Sequence, residues 1–298
     1  MWGDWPFAPG PWAALACAGA AYLAGVLRLR RRGRPWARRR TLAFAGGLLA
    51  LAAALASPLA THDERFTVHM AQHLLLGMLG PVLLALSAPM TLALRTLPRR
   101  GRLVAVLHSR AAVVLSAPVV ATGVFAGSLI ALYCTPLYDA TLRHPLLHEL
   151  VHLHFIAAGC LFAWTFIGAD PVPRRGPLGL RAGLLLLALG AHAALAKLLY
   201  AGDTGVTVAS ARDLHDGARL MYYGGDAVDL IVLLAFFSRW YAAGGRRLER
   251  DRRRQIYAGR GRPLPDAPRV MARGRSGRWF RRRRPTPARR RRAASPGL

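Results

Sequence analysis

Long runs of apolar residues constrain the fold of this chain more than any other feature of its sequence. Seven runs are close to the roughly 20 residues that an α-helix needs to cross the hydrocarbon of a bilayer. They cover about 12–29, 41–60, 66–94, 111–132, 146–167, 178–200 and 218–242. Prolines within the third and fourth runs are compatible with membrane helices. The sequence therefore predicts an all-α integral membrane protein, a bundle of about seven transmembrane helices.

The arginines predict the orientation of this bundle. The net charge of +28 would suit a nucleic-acid-binding protein, but the positive charge is concentrated in alternate connections between the spans. The first, third and fifth connections, at 28–40, 95–110 and 174–181, are arginine-rich, whereas the others hold only one or two arginines each. Positive charge in short loops marks the cytoplasmic side. We therefore expect the N-terminus outside, the C-terminus in the cytoplasm and no specific nucleic-acid partner.

The composition changes after the last span. We expect a seven-span membrane domain at 1–242 and an arginine-rich, disordered cytoplasmic tail at 243–298. The tail and the arginine-rich loops are suited to contacts with anionic lipid headgroups. The first residues lack a basic segment typical of a cleaved signal peptide, so we expect the first span to stay as an anchor. The expected location is the bacterial plasma membrane, with several passes through it.

Two pairs of histidines are spaced for one helix face. His69 and His73 lie in the third span and His148 and His152 in the fifth, each pair four residues apart. Both spans run inward in the predicted topology, so His73 and His152 both lie about 10 Å below the outer end at 1.5 Å per residue. All of the 10 histidines except His108 fall in the outer half. Ionisable residues inside a membrane are costly and are usually functional.

The chemistry expected of these pairs is metal or haem binding. Neutral imidazole is the commonest metal ligand and suits copper, zinc and iron. His69, His73, His148 and His152 are the predicted ligands. Weaker candidates on the same side are Met70, whose thioether suits Cu(I), and three further histidines, His154, His192 and His215. Outer acidic residues, among them Asp213, are suited to attracting a cation or orienting a ligating imidazole.

An enzymatic alternative comes from the same residues. His148, Glu149 and His152 satisfy the HExxH pattern of zinc hydrolases, in which the glutamate is the general base. Intramembrane metalloproteases also carry an LDG-type aspartate motif, which we do not find in this sequence. A second alternative is a membrane cytochrome whose haem is bound by histidines of the third and fifth spans.

Four stretches resemble a known family. They are HMAQHLLL at 69–76, Ala88-Pro89 at the end of the third span, HPLLHELVH at 144–152 with IGADP at 167–171, and the Asp213 segment leading to Met221. Over roughly residues 40–242 the chain resembles the CtaG-type cytochrome c oxidase (caa3) assembly factors. Two departures are Leu214-His215-Asp216 after Asp213, and Tyr222 at a position where tryptophan is usual.

The resemblance implies a non-enzymatic assembly factor with no catalytic residues. Such a protein receives copper at the outer face and helps to load a haem-copper oxidase of the same membrane. The partners implied are an oxidase subunit and a copper chaperone. Carried over to this chain, the resemblance points to His69, His73, His148 and His152 as copper ligands, with Asp213 as an entry or supporting group. Copper rather than zinc follows from the resemblance alone.

Overall fold

The computed structural model describes residues 9–57, 59, 65–98, 100–171 and 176–259, together with 272–273 and 279–280. Most of this part of the chain is helical. The helices are α1 (Pro9–Arg31), α2 (Arg38–Leu55), α3 (Phe66–His73), α4 (Gly80–Ser87), α5 (Pro89–Thr96), α6 (Arg100–Leu107), α7 (Arg110–Leu115), α8 (Pro118–Tyr133), α9 (Leu137–Arg143), α10 (Pro145–Phe166), α11 (Leu178–Ala201) and α12 (Ala211–Gly259). A π-helical segment, Leu74–Leu79, joins α3 to α4.

The chain divides into two units, Met1–Tyr241 and Ala242–Leu298. In the second unit, the two-residue strands β1 (Ala272–Arg273) and β2 (Trp279–Phe280) pair in antiparallel register. Helix α12 continues to Gly259, past the predicted start of the disordered tail at 243. The remainder of the predicted tail, apart from the two strands, lies outside the described residues.

Five segments are long and apolar enough to cross a membrane: Gly10–Arg31, Phe66–Thr96, Pro145–Phe166, Leu178–Ala201 and Ala211–Ile256. Helices α8 and α9 supply a sixth if they form one span that is bent by 71°. Apart from the two short strands, the described chain is therefore an all-α, multi-pass membrane protein with five or six spans of this kind.

The predicted second span is the one missing from this set. Helix α2 is 18 residues long, and Arg38, Arg39 and Arg40 occupy its first turn. The apolar remainder at 41–55 extends about 22 Å at 1.5 Å per residue, against about 30 Å of hydrocarbon. Its buried residues Leu51 and Ala54 pack with Leu76. Helix α2 thus packs along the third span, although by length and composition it is a marginal membrane helix.

The third span is a broken run of helices. Pro81 has no N–H to donate to the carbonyl of Gly77, which breaks the regular α-helical pattern there. At the end of the π-helical segment the N–H of Gly80 donates to Leu75 O, five residues earlier, and not to the residue four earlier as in an α-helix. Farther along, Ala88 adopts a left-handed conformation with φ 57°, and Pro89 begins α5. The Ala88-Pro89 pair therefore marks a turn between two helices within the predicted span.

The main core lies among α3, the π-helical segment, α4, α8, α10, α11 and α12. Phe66, Met70, Tyr133, Phe166 and Leu199 are among its most deeply buried side chains. Close approach of α10 to the third span needs a glycine, because a Cβ on Gly159 would overlap the carbonyl of Gly77. These contacts hold α3 and the first turns of α10, with their histidines, side by side.

Candidate functional site

Asp213 fixes the start of the helix that carries the first histidine pair. Its carboxylate accepts hydrogen bonds from the backbone N–H of Phe66 (2.7 Å) and of Thr67 (3.1 Å). The Thr67 hydroxyl donates to the same carboxylate at 2.6 Å. The first N–H groups of a helix have no partner inside the helix, and a negative charge is favourable there. Asp213 of α12 therefore caps α3 from a distant part of the chain.

His69 lies in an aromatic cluster with the second histidine pair. Its Nε2 forms a 3.0 Å hydrogen bond with the Tyr133 hydroxyl, and its ring centroid lies 4.8 Å from that of Tyr138. The centroids of His148 and His152 are 6.4 Å and 6.5 Å away, and these two rings are 4.3 Å apart. We call His69, His148 and His152 the outer histidine cluster.

His73 faces a different partner. Its ring centroid lies 6.1 Å from that of His192, with only 17° between the ring planes. Tyr133 lies between the two levels, 6.0 Å from the centroids of both His69 and His73. The prediction matched His73 with His152 by depth, but the closest histidine contacts of His152 are with His69 and His148. This pairing depends on the direction in which each side chain points around its helix. Depth along the helix does not specify that direction.

These imidazoles are buried and incompletely hydrogen-bonded. His69, His73, His152 and His192 are between 1% and 9% exposed. Within the described part of the chain, no hydrogen-bond partner is present for His69 Nδ1, both nitrogens of His73, or the Nε2 of His152 and of His192. A buried polar atom without a partner costs about 1–3 kcal/mol. These four imidazoles thus hold free nitrogen lone pairs or N–H groups in the protein interior.

The described residues do not form a ready-made polydentate metal site. No group of three His, Cys, Asp or Glu side chains in the described ranges has an arrangement that could hold a metal ion. The histidines are instead close enough to interact in pairs. Binding of an ion by more than two of them would need the side chains to move together.

The weaker candidates lie in different surroundings. His154 is exposed, and its ring contact is with the adjacent Phe155. His215 stacks on Tyr200 at 4.6 Å, near the Arg219 side chain that donates to the Tyr200 hydroxyl. Met70 is fully buried in the main core. Of the additional histidines, the structure brings only His192 to the predicted ligands.

The HExxH residues do not all face the same way. His148 and His152 belong to the outer histidine cluster and point towards His69, whereas Glu149 is exposed on the surface of α10. Residues one apart on a helix are separated by about 100° around its axis, which accounts for the difference. The position of Glu149 gives no support to a general base at this cluster.

The IGADP stretch has a structural role at the other end of α10. Asp170 accepts hydrogen bonds from the N–H groups of Met90 (3.1 Å) and Thr91 (2.6 Å), and from the Thr91 hydroxyl at 2.6 Å. Two arginines satisfy carbonyls at the end of α10: Arg181 donates to Phe166 O at 2.6 Å and Arg239 to Gly168 O at 2.5 Å. Neither IGADP nor Ala88-Pro89 carries a signal in its own sequence that predicts this contact between them.

Tyr133 and Tyr138 were absent from the predicted site. Both are fully buried and both contact His69. Tyrosines near the ends of membrane helices are common at the membrane interface, so no sequence signal marks these two as part of a site. A third carboxylate, Asp139, accepts hydrogen bonds from the N–H and hydroxyl of Thr207 beside them.

The fold and the site together define a class: a multi-pass membrane protein with buried histidines contributed by several helices. Comparison with known sequences gives the family. The model of the cytochrome c oxidase caa3 assembly factors (Caa3_CtaG) matches residues 20–243, and the chain belongs to that family. The family is described as one of assembly factors, which agrees with the prediction of a non-enzymatic protein.

Three mycobacterial proteins are similar to most of this chain. An uncharacterized protein of Mycobacterium leprae is 34% identical in an alignment of 244 residues that covers 74% of this chain and 37% of that protein. Uncharacterized proteins of Mycobacterium bovis and Mycobacterium tuberculosis are each 35% identical in alignments of 241 residues that cover 74% of this chain and 36% of each relative. This chain thus spans little more than a third of the length of these relatives. No solved structure matches it.

Proposed function

We propose that this protein binds copper through its buried histidines and helps to load the copper centre of a haem-copper cytochrome c oxidase. The observation that carries the proposal is the outer histidine cluster, in which His69, His148 and His152 of two helices meet at ring separations of 4.3–6.5 Å. Copper is the transported substrate here. Family membership supplies the link to the oxidase.

The distances suit an exchangeable ion. At the roughly 2 Å metal–nitrogen distance of histidine ligands, two imidazoles that share an ion have centroids up to about 6 Å apart. The His148–His152 separation of 4.3 Å lies inside that limit, and His69 lies just outside it at 6.4 Å and 6.5 Å. Small rotations of the side chains are enough for closure. Few ligands favour release as well as capture, which a loading factor needs.

The proposed topology places this cluster on the outer side of the plasma membrane. This topology has seven spans, because α2 is counted together with the six others. Its N-terminus lies outside and its C-terminus in the cytoplasm. Arginine-rich connections then face the cytoplasmic leaflet, where anionic lipids are available. Copper arrives from outside, from a copper chaperone, and the recipient is an oxidase subunit in the same membrane.

The test is the metal content of the purified protein. After growth with copper, elemental mass spectrometry is expected to find copper in the wild type and clearly less copper per chain in His69→Ala/His152→Ala. The matched control is His154→Ala, which removes an exposed histidine of α10, the helix that carries His152. This variant is expected to bind as much copper as the wild type. In a deletion strain, the double variant is expected not to restore oxidase activity, whereas the control restores it.

Other results would contradict the proposal. Equal copper in the wild type and the double variant would exclude these ligands. Zinc in place of copper, with an activity that Glu149→Gln abolishes, would favour the zinc hydrolase that the HExxH pattern predicts. A Soret absorption band that is lost in the double variant would favour the membrane cytochrome.

A further inference from the structure

His73 and His192 form a second pair of imidazoles, inward of the outer histidine cluster along α3. His73 is one helical turn beyond His69, and His192 comes from α11, which contributes nothing to the outer cluster. Their centroids are 6.1 Å apart and their planes differ by 17°. They are 5% and 1% exposed, so neither ring has ready access to bulk solvent.

Gly225 provides the space in which the His192 ring lies, and Gly77 lies beside the His73 ring. A Cβ at Gly225 of α12 would overlap the His192 ring, with 2.9 Å to Nδ1 and closer contact with Cε1. A Cβ at Gly77 would lie 3.6 Å from Cε1 and 3.7 Å from Nδ1 of His73, in van der Waals contact. The backbone thus approaches each ring closely, and at Gly225 no other residue is compatible with the position of His192.

The nitrogens of this pair lack partners. Among the described residues, neither nitrogen of His73 has a hydrogen-bond partner, and neither has Nε2 of His192. A buried imidazole nitrogen in this state is unfavourable unless a ligand or a water occupies it. The aromatic ring of Phe155, 5.1 Å from His73, limits the polarity of the surroundings. Two neutral imidazoles in an apolar setting suit a soft monovalent ion such as Cu(I).

We infer that His73 and His192 form a second, inner binding site for Cu(I), distinct from the outer histidine cluster. The inference rests on the proposed function, because it assigns a second position to the same ion. An ion captured at the outer cluster passes one turn inward along α3, and Tyr133 lies beside both positions. Asp226 follows Gly225, the α12 residue that packs against the His192 ring.

The test is a titration of the full chain in detergent with Cu(I) alone, measured by competition with a chromophoric chelator under reducing, anaerobic conditions. The wild type is expected to bind two ions. His192→Ala is expected to bind one, and so is His148→Ala/His152→Ala, which removes the outer cluster. Combining the three substitutions is expected to abolish binding. Elution volume and thermal melting identify any variant that has not folded.

A backbone variant tests the same site without removing a ligand. Gly225→Ala is expected to displace the His192 ring and to weaken the inner site at least tenfold, with the outer site unchanged. The matched control is Gly190→Ala in α11, where a Cβ meets nothing within 4 Å. This control is expected to bind two ions with wild-type affinity.

The outcomes separate the two proposals. Unchanged stoichiometry and affinity in His192→Ala and Gly225→Ala would overturn the inner site and leave the outer one standing. A wild type that binds one ion, lost in His192→Ala and kept in His148→Ala/His152→Ala, would support the inner site and overturn the outer cluster. A wild type that binds no Cu(I) would overturn both.

Discussion

Two kinds of buried polar region occur in this membrane domain, and they differ in how their hydrogen bonds are satisfied. At the starts of α3 and α5, Asp213 and Asp170 each accept hydrogen bonds from two consecutive backbone N–H groups and a threonine hydroxyl. Among the histidines, by contrast, nitrogens of His73, His152 and His192 have no partner within the described ranges.

This difference separates structural from ligand-binding polar residues. A carboxylate whose oxygens are all engaged at a helix start contributes to stability and has little capacity left for a ligand. An imidazole that is buried with a free nitrogen costs stability, and a ligand recovers that cost. Asp170 is as deeply buried as the histidines, so burial alone does not distinguish the two kinds of residue, whereas their hydrogen-bond partners do.

The largest expected loss of stability is at Asp170. Asp170→Ala leaves the N–H groups of Met90 and Thr91 without an acceptor in a buried site, and we expect it to reduce the free energy of unfolding by about 3 kcal/mol. Thermal melting in detergent measures this loss. Copper content per folded protein is expected to stay at the wild-type value. A melting temperature equal to that of the wild type would show that the cap is not structural.

A smaller loss is expected at Asp213, combined with an effect on copper. Asp213→Ala removes the cap of α3 in a partly exposed site, so we expect about 2 kcal/mol. Because α3 carries His69 and His73, we also expect roughly tenfold weaker copper binding, as for other residues that orient ligands. The control is Asp216→Ala on the same helix, whose exposed carboxylate lies 4.0 Å from Arg219. That control is expected to change neither quantity.

The smallest change in stability is expected at His152, although its substitution removes copper from the outer histidine cluster. His152→Leu removes an imidazole with an unpartnered Nε2 and leaves an apolar side chain of similar size, so the free energy of unfolding should stay within about 1 kcal/mol of the wild type. Chemical or thermal unfolding of metal-free protein measures it. A destabilisation as large as that of Asp170→Ala would mean that His152 is a structural residue, and the comparison would fail.

Local spacing in the sequence was sufficient to predict the helices and the histidine pairs. The i, i+4 spacing of His148 and His152 does place both rings on one side of α10, 4.3 Å apart. The partners across helices were not predictable in the same way. Asp170 and Thr91 are 79 residues apart in the chain, and His192 meets His73 only through the packing of α11. No periodicity within one helix specifies such contacts.

The number of spans shows a second limit. Hydropathy alone favoured a span at 41–60, but its helix ends at Leu55 and starts with three arginines. The predicted span at 66–94 is close in extent to Phe66–Thr96. Its prolines are compatible with a membrane helix, but they do not by themselves predict the π-helical segment or the turn at Ala88. Pro81 packs against Gly159 of α10, so the shape of the helix at this proline depends on a neighbouring helix that local sequence does not identify.

The π-helical segment Leu74–Leu79 lets one membrane helix serve two different interfaces. A wide turn acts as a one-residue insertion and rotates everything after it by about 100° around the axis. Before it, His69 and His73 face the rings of α10 and α11. After it, Leu84 lies against Gly47 of α2, and beyond Ala88 Leu92 lies against Gly25 of α1. This rotation thus divides the span into a part that carries the buried histidines and a part that packs against α1 and α2.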